Sequence, residues 1–223
     1  MTVESTTPSL ILASASPRRR ELLALAGLPF EVTPAAVDET PQAAEPPEAC
    51  ARRLAREKAQ VAAGRAVMAL VVAADTIVVD NGRILGKPAD AAEARATLRA
   101  LRGKTHLVMT AISVIDTASG GSLADLACTD VPMREYSDEE IEAYIATGDP
   151  FDKAGGYAIQ HRGFRPVEAL AGCYANVVGL PLCHLARTLR RLAVPLPRDV
   201  PQACQAHLDY ACPVYRGILE GSL

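Results

Sequence analysis

The chain has 223 residues, 49% of them hydrophobic and 22% charged, which suits one large domain or two small lobes around a packed core and excludes a disordered or low-complexity protein. Lys and Arg number 23 against 26 Asp and Glu, a formal net charge of −3, which argues against a nucleic-acid partner held through an extended phosphate backbone. Of the basic residues 19 are Arg and only four are Lys (Lys58, Lys87, Lys104, Lys153), so each Lys stands out against an Arg-rich background.

The N-terminal stretch lacks the basic start of a signal peptide, and the apolar run Leu10 to Ala13 is too short to span a membrane, so a cytoplasmic protein with no membrane partner is expected. That run reads as a strand. Pro17 to Ala26 reads as a helix closed by Gly27, Phe30 to Thr33 as a short strand, and Glu48 to Ala63 as a helix. Leu70 to Val79 is the longest apolar strand, followed by the hairpin signal Asn81-Gly82. A helix is predicted over Ala91 to Leu101, paired strands over His106 to Asp116 and Leu123 to Arg134, and a helix capped by Ser137 running to Ala146. Thr147 to Gly156 is a Gly-rich loop and Leu182 to Leu192 a final helix. Alternating strands and helices indicate an α/β fold. Pro195, Pro197 and Pro201 mark a stiff connector, after which Gln202 to Leu223 forms a short tail unlike the body, connector and tail together occupying 193–223.

Four segments carry candidate chemistry. In Ser14-Ala-Ser16-Pro17-Arg18-Arg19-Arg20, Ser16 caps a helix whose first turn is basic, the wrong sign for the positive end of the helix dipole. A bound phosphate held by backbone N–H groups, Ser14, Ser16 and a guanidinium would resolve the conflict, as would arginines turned to solvent. Asp75 interrupts an apolar strand and needs a cation, a metal, a set of donors or an opening into a cleft. On the helix from Glu48, the 3.6-residue period puts Cys50, Leu54, Glu57 and Val61 on one stripe with Lys58 at its edge, either an inward ion pair or an ordinary core boundary. Asp152-Lys153-Ala-Gly-Gly-Tyr-Ala-Ile-Gln160 joins charged groups, two glycines and an amide.

Taken in order, Ser14-x-Ser-Pro-Arg-Arg, Val37-Asp-Glu39-Thr, Glu57-Lys58-Ala, Ala74-Asp75-Thr76, Gly86-Lys87-Pro88, Asp152-Lys-Ala-Gly-Gly-Tyr-Ala-Ile-Gln160 and Val178-Gly-Leu-Pro181 closely resemble the Maf family of nucleoside triphosphate pyrophosphatases over residues 9–192. The resemblance implies a two-lobed fold around a mixed twisted sheet with flanking helices, a nucleotide cleft between the lobes, and a homodimer. It implies hydrolysis between the α and β phosphates with a divalent cation, Mg²⁺ or Mn²⁺. It makes Asp75 the proton acceptor, Glu39 and Asp75 the metal residues, and Ser14, Ser16, Arg18, Lys58, Lys87, Asp152 and Lys153 substrate-binding. Arg18, Thr76 and Gln160 together resemble the branch acting on dTTP and UTP, with modified pyrimidine nucleotides as further candidates. The 7-methyl-GTP branch of the same fold and a regulatory role in septum formation are the alternatives.

Two departures from the family pattern stand out. The base-side Gln160 is followed by His161-Arg162-Gly163 where Gly commonly follows at once. Four of the six cysteines, Cys173, Cys183, Cys204 and Cys212, fall near the C-terminus with His184 and His207. They read either as buried thiols acting as small hydrophobes or as ligands of Zn²⁺ or an iron–sulfur cluster that pins the tail to the body.

Overall fold

A computed structural model of the chain describes residues 9–222. The stretch read as lacking a signal-peptide start begins outside the described residues. Strands β1 (Ser9–Leu12), β2 (Phe30–Val32), β3 (Ala69–Asp80), β5 (Thr105–Asp116) and β6 (Ser122–Pro132) lie in the order β2-β1-β3-β5-β6, and the short β4 (Arg83–Leu85) pairs with β3. β1 runs parallel to β2 and β3, whereas β3, β5 and β6 are antiparallel, so the sheet is mixed as expected. β4 is the one strand the sequence does not announce. It follows from the hairpin at Asn81-Gly82, whose residues take φ +47° and +77° and let Arg83 pair back with Asp80.

β3 is apolar along nearly its whole length because both its faces are covered. Its odd-numbered residues Ala69, Val71, Ala73, Ile77 and Val79 pack under helix α2 (Pro47–Ala63). The even-numbered residues divide between two cores on the opposite face. Leu70, Val72 and Ala74 join β1, helix α1 (Pro17–Ala24) and helix α6 (Leu182–Arg191). Val78 joins helices α3 (Ala91–Leu101) and α4 (Asp138–Ala146). These two cores are the two lobes, and β3 runs through both. α4 starts where predicted, because Ser137 and Glu140 form a reciprocal capping box.

The helix stripe needs correcting. The buried face of α2 keeps Cys50 and Leu54 of the expected stripe and runs on through Ala51, Ala55, Lys58, Ala59 and Ala62, so Lys58 points inward, while Glu57 turns aside to bind Arg53 at 3.3 Å. The stripe is built largely from alanines, and a search for large apolar side chains rotates it by about one position.

The tail is more ordered than its prolines indicate. Helix α5 (Tyr174–Val178) precedes α6, and α7 (Val200–Leu208) and α8 (Tyr215–Glu220) follow it. Pro201 stands in the first turn of α7, where a missing N–H costs nothing. Val194, Val200, Cys204 and Ile218 complete the core that contains β1 and α6. The Tyr210 hydroxyl lies 2.9 Å from the carbonyls of Leu170 and Gly172, tying the tail to the segment before α5.

The C-terminal cysteines pack in the manner of buried thiols. Cys173, Cys183, Cys204 and Cys212 do line one small apolar cavity, of about 10 Å³, yet among the described residues no three His, Cys, Asp or Glu side chains are placed to hold a metal ion. Burial pushes the Cys173, Cys183 and Cys204 thiols up to about 12, so they stay protonated and pack as small hydrophobes. His207 is exposed.

Two buried histidines make stability depend on pH. His106 donates to or accepts from the Tyr157 hydroxyl at 2.7 Å, and its Nδ1 has no partner among the described residues. Burial drives its pKa down to about 4, and burial lowers that of His184 in the same direction. Both are neutral in the fold and titrate higher in the unfolded chain, so they favour folding above pH 6.5 and lose that effect as pH falls toward 4. Urea unfolding at pH 5 against pH 7 is expected to show a loss of about 2 kcal/mol per histidine. His106→Gln should flatten part of that slope, and an unchanged slope would contradict the assignment.

Candidate active site

A break in the sheet forms the site. β5 occupies one edge of β3 from Leu70 to Val79. On the other edge β1 pairs only as far as Val72, with a last rung from the Ala13 N–H to the Val72 carbonyl, and β4 begins at Val78. Residues 73–77 are therefore an open edge at the carboxyl end of β1, the place where α/β sheets bind ligands. A cleft of about 600 Å³ opens there. Asp75 and Thr76 are neighbours on a strand and so project to opposite faces, Asp75 toward α2 and Thr76 toward the face of the two cores, and both line the cleft.

Asp75 is 6% exposed, and among the described residues its carboxylate accepts only from Lys58, whose Nζ lies 2.5 Å away. The same Nζ donates to Glu39 at 2.6 Å, and Lys87 donates to the other Glu39 oxygen at 3.4 Å. Burial works against the charge on Glu39, but Lys58 and Lys87 outweigh it and hold its pKa below the ordinary carboxylate value. Glu39 is delivered by a turn in which the Thr40 N–H binds Asp38. Arg53 on α2 steadies that turn by bonding Glu45 at 2.7 and 2.8 Å and the Thr40 carbonyl at 3.2 Å.

Glu39 and Asp75 thus meet at the Lys58 ammonium and bring two hard carboxylates to the same end of the cleft. No third His, Cys, Asp or Glu ligand joins them among the described residues. This donor set fits Mg²⁺ or Mn²⁺, which take one or two carboxylates and fill their remaining positions with phosphate oxygens and water.

The α1 end resolves the three arginines separately. Ser16 caps the helix by accepting from the Arg19 N–H. Arg20 is exposed, and Arg18 reaches across the cleft to Asp152 at 3.5 Å. Arg19 turns inward, donating through Nε to the Gly179 carbonyl at 2.8 Å and through Nη2 to Thr76 at 3.0 Å. Burial lowers its pKa while Asp75 and Glu39 pull the other way. Ser14 is buried and does not line the cleft; it accepts from the Ser16 N–H and from Arg19. Arg19 is the residue the sequence undervalues, since three consecutive arginines look alike and only packing separates them.

The far wall is the loop of Asp152 to Gln160. Lys153 spends its three protons inside the loop, on the Asp149 carbonyl, the Asp149 carboxylate and Asp152. Its place on the wall is therefore that of a brace. Gly155 and Gly156 take φ +71° and +68°, and a Cβ would meet Val78 at 2.9 Å and Pro88 at 3.0 Å. The loop thereby lies flat on β3 and on the segment of Lys87. Tyr157 anchors it through His106. Gln160 is exposed at the cleft, and its amide makes no hydrogen bond among the described residues. The residues after it close a turn, with the Phe164 N–H bound to His161 Nδ1 at 2.9 Å.

Of the residues singled out in the sequence, Ser16, Arg18, Glu39, Lys58, Asp75, Thr76, Lys87, Asp152, Lys153 and Gln160 line this one cleft, and Ser14 supports it from behind. Among the described residues no helix is long and apolar enough to cross a membrane.

Comparison with known proteins agrees with this architecture. The family model described as Maf-like protein matches residues 9–192. A protein of Thermomicrobium roseum named dTTP/UTP pyrophosphatase is 52% identical over 202 residues, covering 88% of this chain and 92% of the relative. Proteins of the same name from Anaeromyxobacter dehalogenans strain 2CP-1 and Pelotomaculum thermopropionicum are 50% and 47% identical, covering 87% and 82% of this chain and 99% and 95% of their own. With its mixed sheet, its open strand edge and its matched length, the chain belongs to the Maf family.

Proposed function

We propose that this chain hydrolyses dTTP and UTP to the nucleoside monophosphate and pyrophosphate, in the cytoplasm, with Mg²⁺ or Mn²⁺ and as a homodimer. The relatives named dTTP/UTP pyrophosphatase support the substrate class. The observation that carries the reading is a single cleft with a buried carboxylate, Asp75, among cations at one end and an unpaired amide, Gln160, on its far wall.

Asp75 is the proton acceptor: one oxygen stays on Lys58, and the carboxylate takes a proton from water attacking the α phosphorus. The bond from that phosphorus to the bridging oxygen breaks and pyrophosphate leaves. Glu39 and Asp75 would hold the divalent cation, whose charge offsets that of the triphosphate. Lys58 and Lys87, bound to these carboxylates in the free protein, are available to phosphate oxygens, as are Ser16 and the first-turn N–H groups of α1. Arg18 must exchange Asp152 for phosphate, an exposed pair that is weak enough to yield. The domain 9–192 carries this chemistry, and residues 193–222 brace it from behind.

Gln160 reads the base. Held with its oxygen toward N3–H, the amide accepts from that group and donates to a ring carbonyl of thymine or uracil, whereas cytosine presents the opposite order. Pyrophosphate release measured across dTTP, UTP, dCTP, ATP, GTP and 7-methyl-GTP with Mg²⁺ or Mn²⁺ is expected to favour dTTP and UTP. Gln160→Glu should lower kcat/KM for both by about tenfold to a hundredfold, the cost of one mismatched hydrogen-bonding group. Equal rates on all nucleotides in both proteins would refute the assignment.

A further inference from the structure

Thr76 and Thr110 sit directly opposite one another on β3 and β5, at the junction where one apolar core ends with Ala74 and Ile112 and the other begins with Val78 and Val108. Polar side chains in such a seam must satisfy one another. The Thr110 hydroxyl, fully buried, lies 3.0 Å from the Asn176 carbonyl and 2.9 Å from the Thr76 hydroxyl. Thr76 also accepts from Arg19 Nη2. Asn176 is anchored in turn, with Nδ2 donating to the Val108 carbonyl at 3.0 Å and to Thr129 at 2.9 Å.

The two ends set the direction of every proton. Arginine can only donate and a carbonyl can only accept. Arg19 therefore donates to Thr76, Thr76 to Thr110, and Thr110 to the Asn176 carbonyl. The reverse order would leave two oxygens 3.0 Å apart with no proton between them. It would also send the Thr76 proton to the Gly179 carbonyl, 3.5 Å away, which Arg19 Nε already uses. The Thr76 hydroxyl consequently has no proton left to donate: its one proton goes to Thr110, and one of its acceptor positions is held by Arg19.

We propose that Thr110 is a positioning residue of the cleft: acting through Thr76 it fixes the Arg19 guanidinium, and position 76 influences the substrate through Arg19 rather than by donating a hydrogen bond of its own. Arg19 lines the cleft and leaves two N–H donors unclaimed among the described residues, so a displaced guanidinium alters what a triphosphate meets. A relay closed at both ends holds one geometry, whereas a Thr76 hydroxyl without its acceptor can rotate.

This rests on the triphosphate reading above, so release of pyrophosphate from dTTP by the unaltered protein is measured first. Thr110→Val keeps the volume and deletes both the acceptor for Thr76 and the donor to the Asn176 carbonyl. It is expected to raise KM for dTTP about tenfold with kcat lowered no more than about threefold, the scale of one lost hydrogen bond. Thr110→Ser restores the hydroxyl and should return KM to within about twofold of the original. In an Arg19→Lys background Thr110→Val should add nothing. A wild-type KM in Thr110→Val, or effects that add in the double variant, would overturn the proposal, as would a lowered urea midpoint with KM unchanged. Thr110→Ala serves in the same way if the Val variant does not fold. If the unaltered protein releases no pyrophosphate, the function fails and the relay is still tested by side-chain NMR. Slow exchange of the Arg19 Nη2 protons in the original and Ser proteins, and faster exchange without the hydroxyl, is required.

Discussion

Asp75→Asn is expected to lower kcat for pyrophosphate release by about 10³-fold, within the usual range for loss of a general base. The amide keeps the size of the side chain and can still accept from Lys58 through its oxygen, while it cannot take a proton from water. The fold should survive, because Lys58 retains Glu39 as a counter-charge at 2.6 Å. Steady-state release of pyrophosphate from dTTP, beside a urea unfolding curve, separates the two effects. Retained turnover with unaltered metal dependence would remove Asp75 from the role of base.

Lys58→Met is expected to have the largest effect on stability. The Lys58 and Asp75 side chains are 9% and 8% exposed, and the lysine is the only group among the described residues that donates to this carboxylate. Removing it strands a charge inside the protein, which costs about 3–5 kcal/mol. The expected signature is non-additivity: Lys58→Met with Asp75→Asn should be more stable than Lys58→Met alone, since the second change removes the stranded charge. Urea midpoints of the two single variants and the double variant test this. Additive losses would mean that the pair is not coupled.

Most strands and helices could be read directly, because their signals are local. The helix cap Ser137 with Glu140, the hairpin at Asn81-Gly82 and the unbroken apolar run of β3 each lie within a few residues. The short α5 and the helices of the tail were not read, since α5 has five residues and the tail's prolines resemble a linker until its apolar positions are seen filling the core beside β1. On sequence the α2 stripe falls partly on Glu57 and Val61 for a related reason: alanine carries little hydrophobic weight, yet it lets a helix approach a sheet closely.

The candidate site divides along the same line. Sequence by itself determined which residues could meet: an aspartate where no charge belongs, lysines rare enough to stand out, a capped basic helix start and a glycine-rich loop ending in an amide. What those residues do to one another was decided only by the tertiary structure. Lys58 and Asp75 are 17 residues apart and meet where β1 ends at Leu12, opposite Val72, and leaves the β3 edge open beneath α2. Arg19, rather than Arg18 or Arg20, turns inward because the Gly179 carbonyl, 160 residues away, receives its Nε–H. Lys153 becomes a brace because three oxygens of its own loop surround it. Hydrogen bonds and ion pairs depend on distance in space, and chain order alone does not supply it.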